Sequence, residues 1–193
     1  MADTLKKSKE NLTFNDYSRS LAAFIRDKFR IKETKLERFM YDKVNLSKNE
    51  LNGGLIFYGK GRCVTCHSGP YFSDFAFYSV PFPQLGFGAN GFGVDYGRYN
   101  VTFDTNDLYK FRTPPLHNVE KTGPYGHDGS LSTLNEAIIA HFDPLRIINI
   151  NKMDSKKRHY FYQKLASSDS TNVNYLTDNE VDDLAYFLKL LNY

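Results

Sequence analysis

Cys63-Val64-Thr65-Cys66-His67 constrains this chain more than any other stretch. C-x-x-C-H is the attachment sequence of a c-type haem: two thiols that add to the two vinyl groups, and an adjacent imidazole that turns back to ligate the iron from the proximal side. Cys63 and Cys66 are also the only cysteines in the chain, so no other thiol competes for a disulfide or metal role. Three alternatives stand beside haem. Structural zinc usually needs a second Cys or His pair, and His117, His127, His141 and His159 contain no H-x3-5-H spacing. A thioredoxin-like redox pair wants its C-x-x-C after a strand, whereas here a helical pattern precedes it and Gly59, Gly61 and Gly69 flank it. The third is chance occurrence of a short motif. Haem is the favoured reading.

Length and charge bound the container. A chain of 193 residues is long enough for one core of ordinary size, or one haem domain with generous loops. The net charge of +3 is spread along the sequence and gives no warrant for nucleic acid. No run approaches the ~18 apolar residues of a membrane span. Met1 to Leu12 is Lys-rich and polar, without the apolar region of a secretory signal. Covalent haem attachment in bacteria normally takes place outside the cytoplasmic membrane, so the expectation is a longer product or a lost leader.

Helix signals divide the chain. Thr13 with Asp16 has capping-box spacing, and Tyr17, Leu21, Phe24 and Ile25 follow at helical intervals, which predicts a helix over about 15–28. Ser47 with Glu50 repeats the cap ahead of Leu51, Leu55 and Tyr58, so a second helix delivers the chain to the haem motif. A short connecting helix is expected over 35–42, with Met40 in its core. Thr133 with Glu136 caps a helix carrying Leu134, Ala137, Ile138 and His141; Thr177 with Glu180 caps a last one carrying Val181, Leu184, Ala185 and Leu188. The polar run 149–159, with Met153, reads as a solvated loop.

Between these helices the composition shifts. Residues 53–97 hold ten of the thirteen glycines, and residues 57–111 hold fifteen of the thirty aromatics. Glycine costs a helix about 1 kcal/mol per position, but turns and rings can wrap a large flat apolar group. A long irregular segment in a compact domain is usually functional, and enclosing a porphyrin is such a function; a solvent-exposed aromatic loop or a small β-element is the alternative.

Several further motifs follow in fixed order: Asp95-Tyr96-Gly97-Arg98, then Lys110 to Leu116 (KFRTPPL), then Thr122 to Ser130 (TGPYGHDGS), then Thr133-Leu134. With the lead-in Arg62-Cys63-x-x-Cys66-His67-Ser68-Gly69-Pro70, this closely resembles the C-terminal haem domain of the bacterial di-haem cytochrome c peroxidase and MauG family, from about Thr13 to Phe142 and again in the final helix. The resemblance implies a mainly α, class I cytochrome c-like haem domain with long Gly- and aromatic-rich loops, occupying 1–193 as a single domain. It implies one covalent haem c on Cys63 and Cys66, with His67 as the proximal iron ligand.

In that family the sixth ligand lies on the helix opened by the T-L pair, and is Met in the peroxidases or Tyr in MauG. The matching position is His141, a residue fully able to ligate iron, so bis-histidine ligation is expected. His127 resembles a family histidine that orients the pocket. His117 stands where the family usually has an arginine, with Arg98 or Arg112 as substitutes for any contact to a haem propionate. Thr122 and Pro124 match two positions whose backbone carbonyls bind Ca²⁺ between the two haem domains.

The family's N-terminal domain carries the peroxidatic haem and a bridging tryptophan, and this chain has one haem motif and no tryptophan. The resemblance therefore implies the electron-accepting half of a periplasmic peroxidase. It would take electrons from a small cytochrome c or copper protein and pass them to an N-terminal peroxidatic domain, with a homodimer possible. A stand-alone monohaem electron carrier, or MauG-like oxidation of a partner protein, are the alternatives.

Overall fold

The computed structural model describes residues 8, 11–28, 30, 32–84, 93–169 and 174–193. Most of the polar N-terminus and residues 85–92 of the Gly- and aromatic-rich stretch lie outside that set. The chain divides into two compact units, Met1–Glu33 and Thr34–Tyr193.

The first unit holds α1 (Phe14–Lys28), opened by the expected box. Thr13 N–H donates to Asp16 Oδ2 at 3.0 Å, and Asp16 N–H donates to Thr13 Oγ1 at 3.3 Å. Two orphan amides are thereby satisfied. None of its residues is buried.

The second unit is mainly α. Its elements are α2 (Lys35–Met40), α3 (Lys48–Tyr58), β1 (Phe77–Tyr78), the single turn α4 (Tyr99–Thr102), β2 (Phe111–Arg112), α5 (Leu134–Ala140), α6 (Ser155–Ala166) and α7 (Asp178–Lys189). Capping boxes close the first turns of α2, α3, α5 and α7, with Ser47–Glu50, Thr133–Glu136 and Thr177–Glu180 as the sequence predicts. The only sheet among the described residues is the antiparallel pair Phe77–Arg112 and Tyr78–Phe111.

Helices α3 and α7 form the frame. Gly53 lets them touch: a Cβ there would stand 2.0 Å from the Asp183 carbonyl oxygen and 2.7 Å from Phe187 Cβ. Phe57, Leu176, Val181, Leu184, Phe187, Leu190 and Leu191 fill the contact and are essentially inaccessible. Removing a buried phenylalanine such as Phe57 costs on the order of 3–5 kcal/mol. Helix α5 packs on α7 through Ile138 and Ile139. The frame thus holds both the end of α3, where the haem motif begins, and the end of α5, where His141 sits.

Two expectations are corrected. The run 149–159 is not a solvated loop throughout: α6 begins at Ser155, after Asp154 accepts from Lys157 N–H at 2.8 Å. Phe161 and Lys164 are its buried residues, a stripe too narrow to announce itself beside Lys156, Lys157, Arg158 and His159. Met40 is 62% exposed, because Leu36 and Phe39 take the core-facing side of the short α2.

Candidate functional site

At the end of α3 the chain breaks sharply. Arg62 adopts a left-handed conformation and starts a 3₁₀ turn, Cys63–Thr65, which the His67 amide closes by donating to the Cys63 carbonyl at 2.9 Å. Any side chain at Gly61 would crowd the first thiol, since a Cβ there falls 3.3 Å from Cys63 Sγ and 2.9 Å from the Ile56 carbonyl oxygen. The two cysteines are free. Burial pushes the Cys63 thiol up to about 12, and burial with the nearby Asp74 carboxylate raises Cys66. Reactive redox pairs require the opposite shift, which disfavours the thioredoxin-like alternative. Among the described residues no group of three or more His, Cys, Asp or Glu side chains is gathered to hold a metal ion.

His67 is fixed by the loop that follows it. Its Nδ1 lies 3.0 Å from the Phe72 carbonyl oxygen. A carbonyl can only accept, so Nδ1 carries the proton and Nε2 keeps its lone pair. Phe72 and Phe75 reach this arrangement with φ of 52° and 58°, a left-handed region that bulky residues seldom occupy. Ser73 explains part of the hold. Its hydroxyl donates to the Thr113 carbonyl at 2.8 Å and accepts from Phe75 N–H at 3.0 Å. The K-F-R-T-P-P segment is thereby tied against the loop behind His67. Burial lowers the His67 pKa, opposed by the Phe72 carbonyl, the Asp74 carboxylate and the Pro114 carbonyl.

His141 ends α5 in the same tautomer. Its Nδ1 lies 2.7 Å from the Ala137 carbonyl oxygen, so this imidazole too has its proton on Nδ1 and its lone pair on Nε2. The Phe82 ring meets it edge-on, at 5.0 Å and 89°. Burial pushes it down to about 4; the Ala137 carbonyl opposes this, and the charge that His67 would carry adds to it. Residues 74 apart in sequence are therefore close enough to act on one another electrostatically, and both are neutral at pH 7. A metal-ligating histidine characteristically donates its second N–H to such a carbonyl.

His127 stacks on Phe111 at 4.1 Å, and its Nε2 is 3.4 Å from Gln84 Oε1. His117 lies 3.1 Å by Nε2 from the Pro70 carbonyl oxygen and meets the Phe72 ring. Gly97 of the D-Y-G-R motif has φ of 63° and permits a close approach: a Cβ would fall 2.3 Å from the Lys110 carbonyl oxygen. Arg98 pairs with Asp107 at 2.9 Å and covers the Phe77 ring, while Arg112 covers Phe75. Thr122 and Pro124 lie on an exposed turn. Phe82 and Lys164 escaped the sequence reading, one inside the irregular stretch and one on the unexpected α6.

No family model matches the chain. It is 30% identical over 161 residues to the cytochrome-c peroxidase IdrP1 of Denitromonas iodatirespirans, a match covering 66% of this chain and 43% of that protein. It is 31% identical over 101 residues to the methylamine utilization protein MauG of Methylorubrum extorquens, covering 52% of this chain and 27% of MauG. The chain is a relative of the di-haem cytochrome c peroxidases and MauG. In fold, the chain is similar to the crystal structure of a MauG-like protein associated with microbial copper homeostasis. That match has a TM-score of 0.72 and 24% identity, covering 95% of this chain and 58% of the other. The chain thus spans less than half the length of the curated relatives named here. Among the described residues no helix is long and apolar enough to cross a membrane.

Proposed function

We propose that this chain is a haem c electron-transfer domain of a di-haem cytochrome c peroxidase-like oxidoreductase. The observation that carries the reading is the matched pair of imidazoles. His67 and His141 each tie Nδ1 to a main-chain carbonyl and keep a neutral Nε2 lone pair, and His67 follows directly on two unbridged thiols. The donor set suits a haem iron: Cys63 and Cys66 would hold the porphyrin by thioethers, and His67 and His141 would ligate the iron. When bound, the haem supplies one-electron exchange between ferric and ferrous iron. The chain's own part is to orient both ligands through Ala137, Phe72 and Ser73, and to exclude water with Phe82 and the core side chains beside the motif.

With both imidazoles as ligands the iron would have no open position for peroxide, and peroxide reduction would fall to a second haem domain that supplies the polar groups for breaking the O–O bond. The exposed carbonyls of Thr122 and Pro124 would meet that domain through Ca²⁺, a hard cation suited to oxygen donors. A small cytochrome or copper protein in the periplasm would be the donor. Steady-state peroxide reduction by the haem-loaded chain, with such a reduced donor, tests this. Turnover should be slow although the haem is reduced, and rise when the N-terminal haem domain and Ca²⁺ are added. Rapid turnover by the chain alone would contradict the reading.

A further inference from the structure

Lys164 is an interior cation with no ion-pair partner among the described residues. It is 5% exposed; its Nζ donates to the Phe82 carbonyl at 3.0 Å and stands 5.4 Å from the centroid of the Phe111 ring. Among the described residues no carboxylate comes within ion-pair distance of it. Asp128 and Asp95 act on it through space and favour the charged form. Asp95 accepts from Gly97 N–H and Asn100 Nδ2, and Asp128 accepts from Ser130 N–H. A lysine stem usually snorkels so that its ammonium stays in water. This one turns inward. Burial pushes its amine down to about 8, which still leaves it mostly charged at neutral pH. An ammonium has three N–H donors, and Phe82 takes one.

The surroundings point to one further anion. Phe82, whose carbonyl holds Lys164, presents its ring to His141; Phe111, which Lys164 overlies, stacks on His127. The ammonium is therefore bracketed by the two aromatic residues that stand against the histidine side of the candidate site. Arg98 is taken up by Asp107 and Phe77, and Arg112 is exposed over Phe75. Neither is an interior cation. Burying a positive charge with no ion-pair contact is costly, so a ligand carboxylate brought within hydrogen-bond reach of this ammonium would be held favourably. The group proposed for this site is an apolar disc whose only anions are its two propionates.

We propose that Lys164 is the counter-cation of a haem propionate, using its remaining N–H donors to hold that carboxylate beside Phe82. This rests on the haem reading, so covalent haem is first verified by intact mass; a chain without it overturns both. Lys164→Gln keeps a donor for the Phe82 carbonyl and removes the charge, whereas Lys164→Arg keeps the charge. In the haem-loaded protein, Lys164→Gln should shift the propionate bending band in the resonance Raman spectrum. It should also lower the midpoint potential, because a nearby cation favours the ferrous state. A drop of about tenfold in the reduction equilibrium constant is expected for one screened charge near the iron, which for one electron is about 59 mV. Lys164→Arg should hold both close to the starting values. Lys164→Met, which keeps much of the packing volume, serves if the glutamine variant does not fold. A purely structural lysine would change the melting temperature and leave band and potential alone; that result, with haem attached, overturns the proposal. So does a change in the iron's ligand-field bands, which would place Lys164 on the metal.

Discussion

Replacing His141 by alanine should convert the iron of the haem-loaded chain from low-spin to high-spin. The expectation follows from how the residue is held. His141 ends α5, whose first turn is fixed by the Thr133–Glu136 box and whose buried face is Ala137 to Ala140. The same helix supplies the Ala137 carbonyl that fixes the tautomer. Ring and lone pair are thus set by local helix geometry, and a neutral, desolvated imidazole is a strong-field ligand ready for iron. Alanine leaves the helix intact and removes only the donor. His141→Met should keep six-coordination but raise the reduction potential, since Met/His ligation favours the ferrous state. His67→Ala should instead impair haem incorporation altogether. An unsubstituted protein that is already high-spin, or spectra indifferent to both His141 changes, would rule out bis-histidine ligation.

Removing both thiols has an effect of similar size. Cys63→Ala with Cys66→Ala should abolish covalent attachment, so that haem extracts into acidified organic solvent; each single variant should keep one thioether and shift the alkaline pyridine absorption of haem c accordingly. The two thiols are unbridged and sit on either side of one 3₁₀ turn directly before His67, the arrangement that thioether attachment to both vinyl groups needs. Retention of haem through acid extraction by the double variant would contradict this.

The parts of the fold legible in sequence were those written in local chemistry. Ser47–Glu50, Thr133–Glu136 and Thr177–Glu180 announced helix starts because a capping box is a contact between residues three apart. C-x-x-C-H announced its own turn for the same reason. His141 was accessible through motif order alone; its electrostatic proximity to His67 depends on α3 and α5 both docking on α7. Helix α6 was hidden because its buried stripe is little more than Phe161 and Lys164, and a lysine at a core position reads as surface in any periodicity. Met40 misled in the opposite sense: an apolar residue near the end of a six-residue helix has no obligation to face inward. The left-handed Phe72 and Phe75 carry no sequence signal, because phenylalanine does not favour that conformation and part of what holds it, the Ser73–Thr113 tie, joins residues 40 apart.

The central claim is that Cys63, Cys66 and His67 hold a covalent haem. The direct measurement is the intact mass of the chain produced with c-type cytochrome maturation machinery, together with its alkaline pyridine spectrum. One haem of added mass and the spectrum of haem c with two thioethers are predicted. An unmodified mass, or a haem that leaves the protein in acidified organic solvent, would contradict the account.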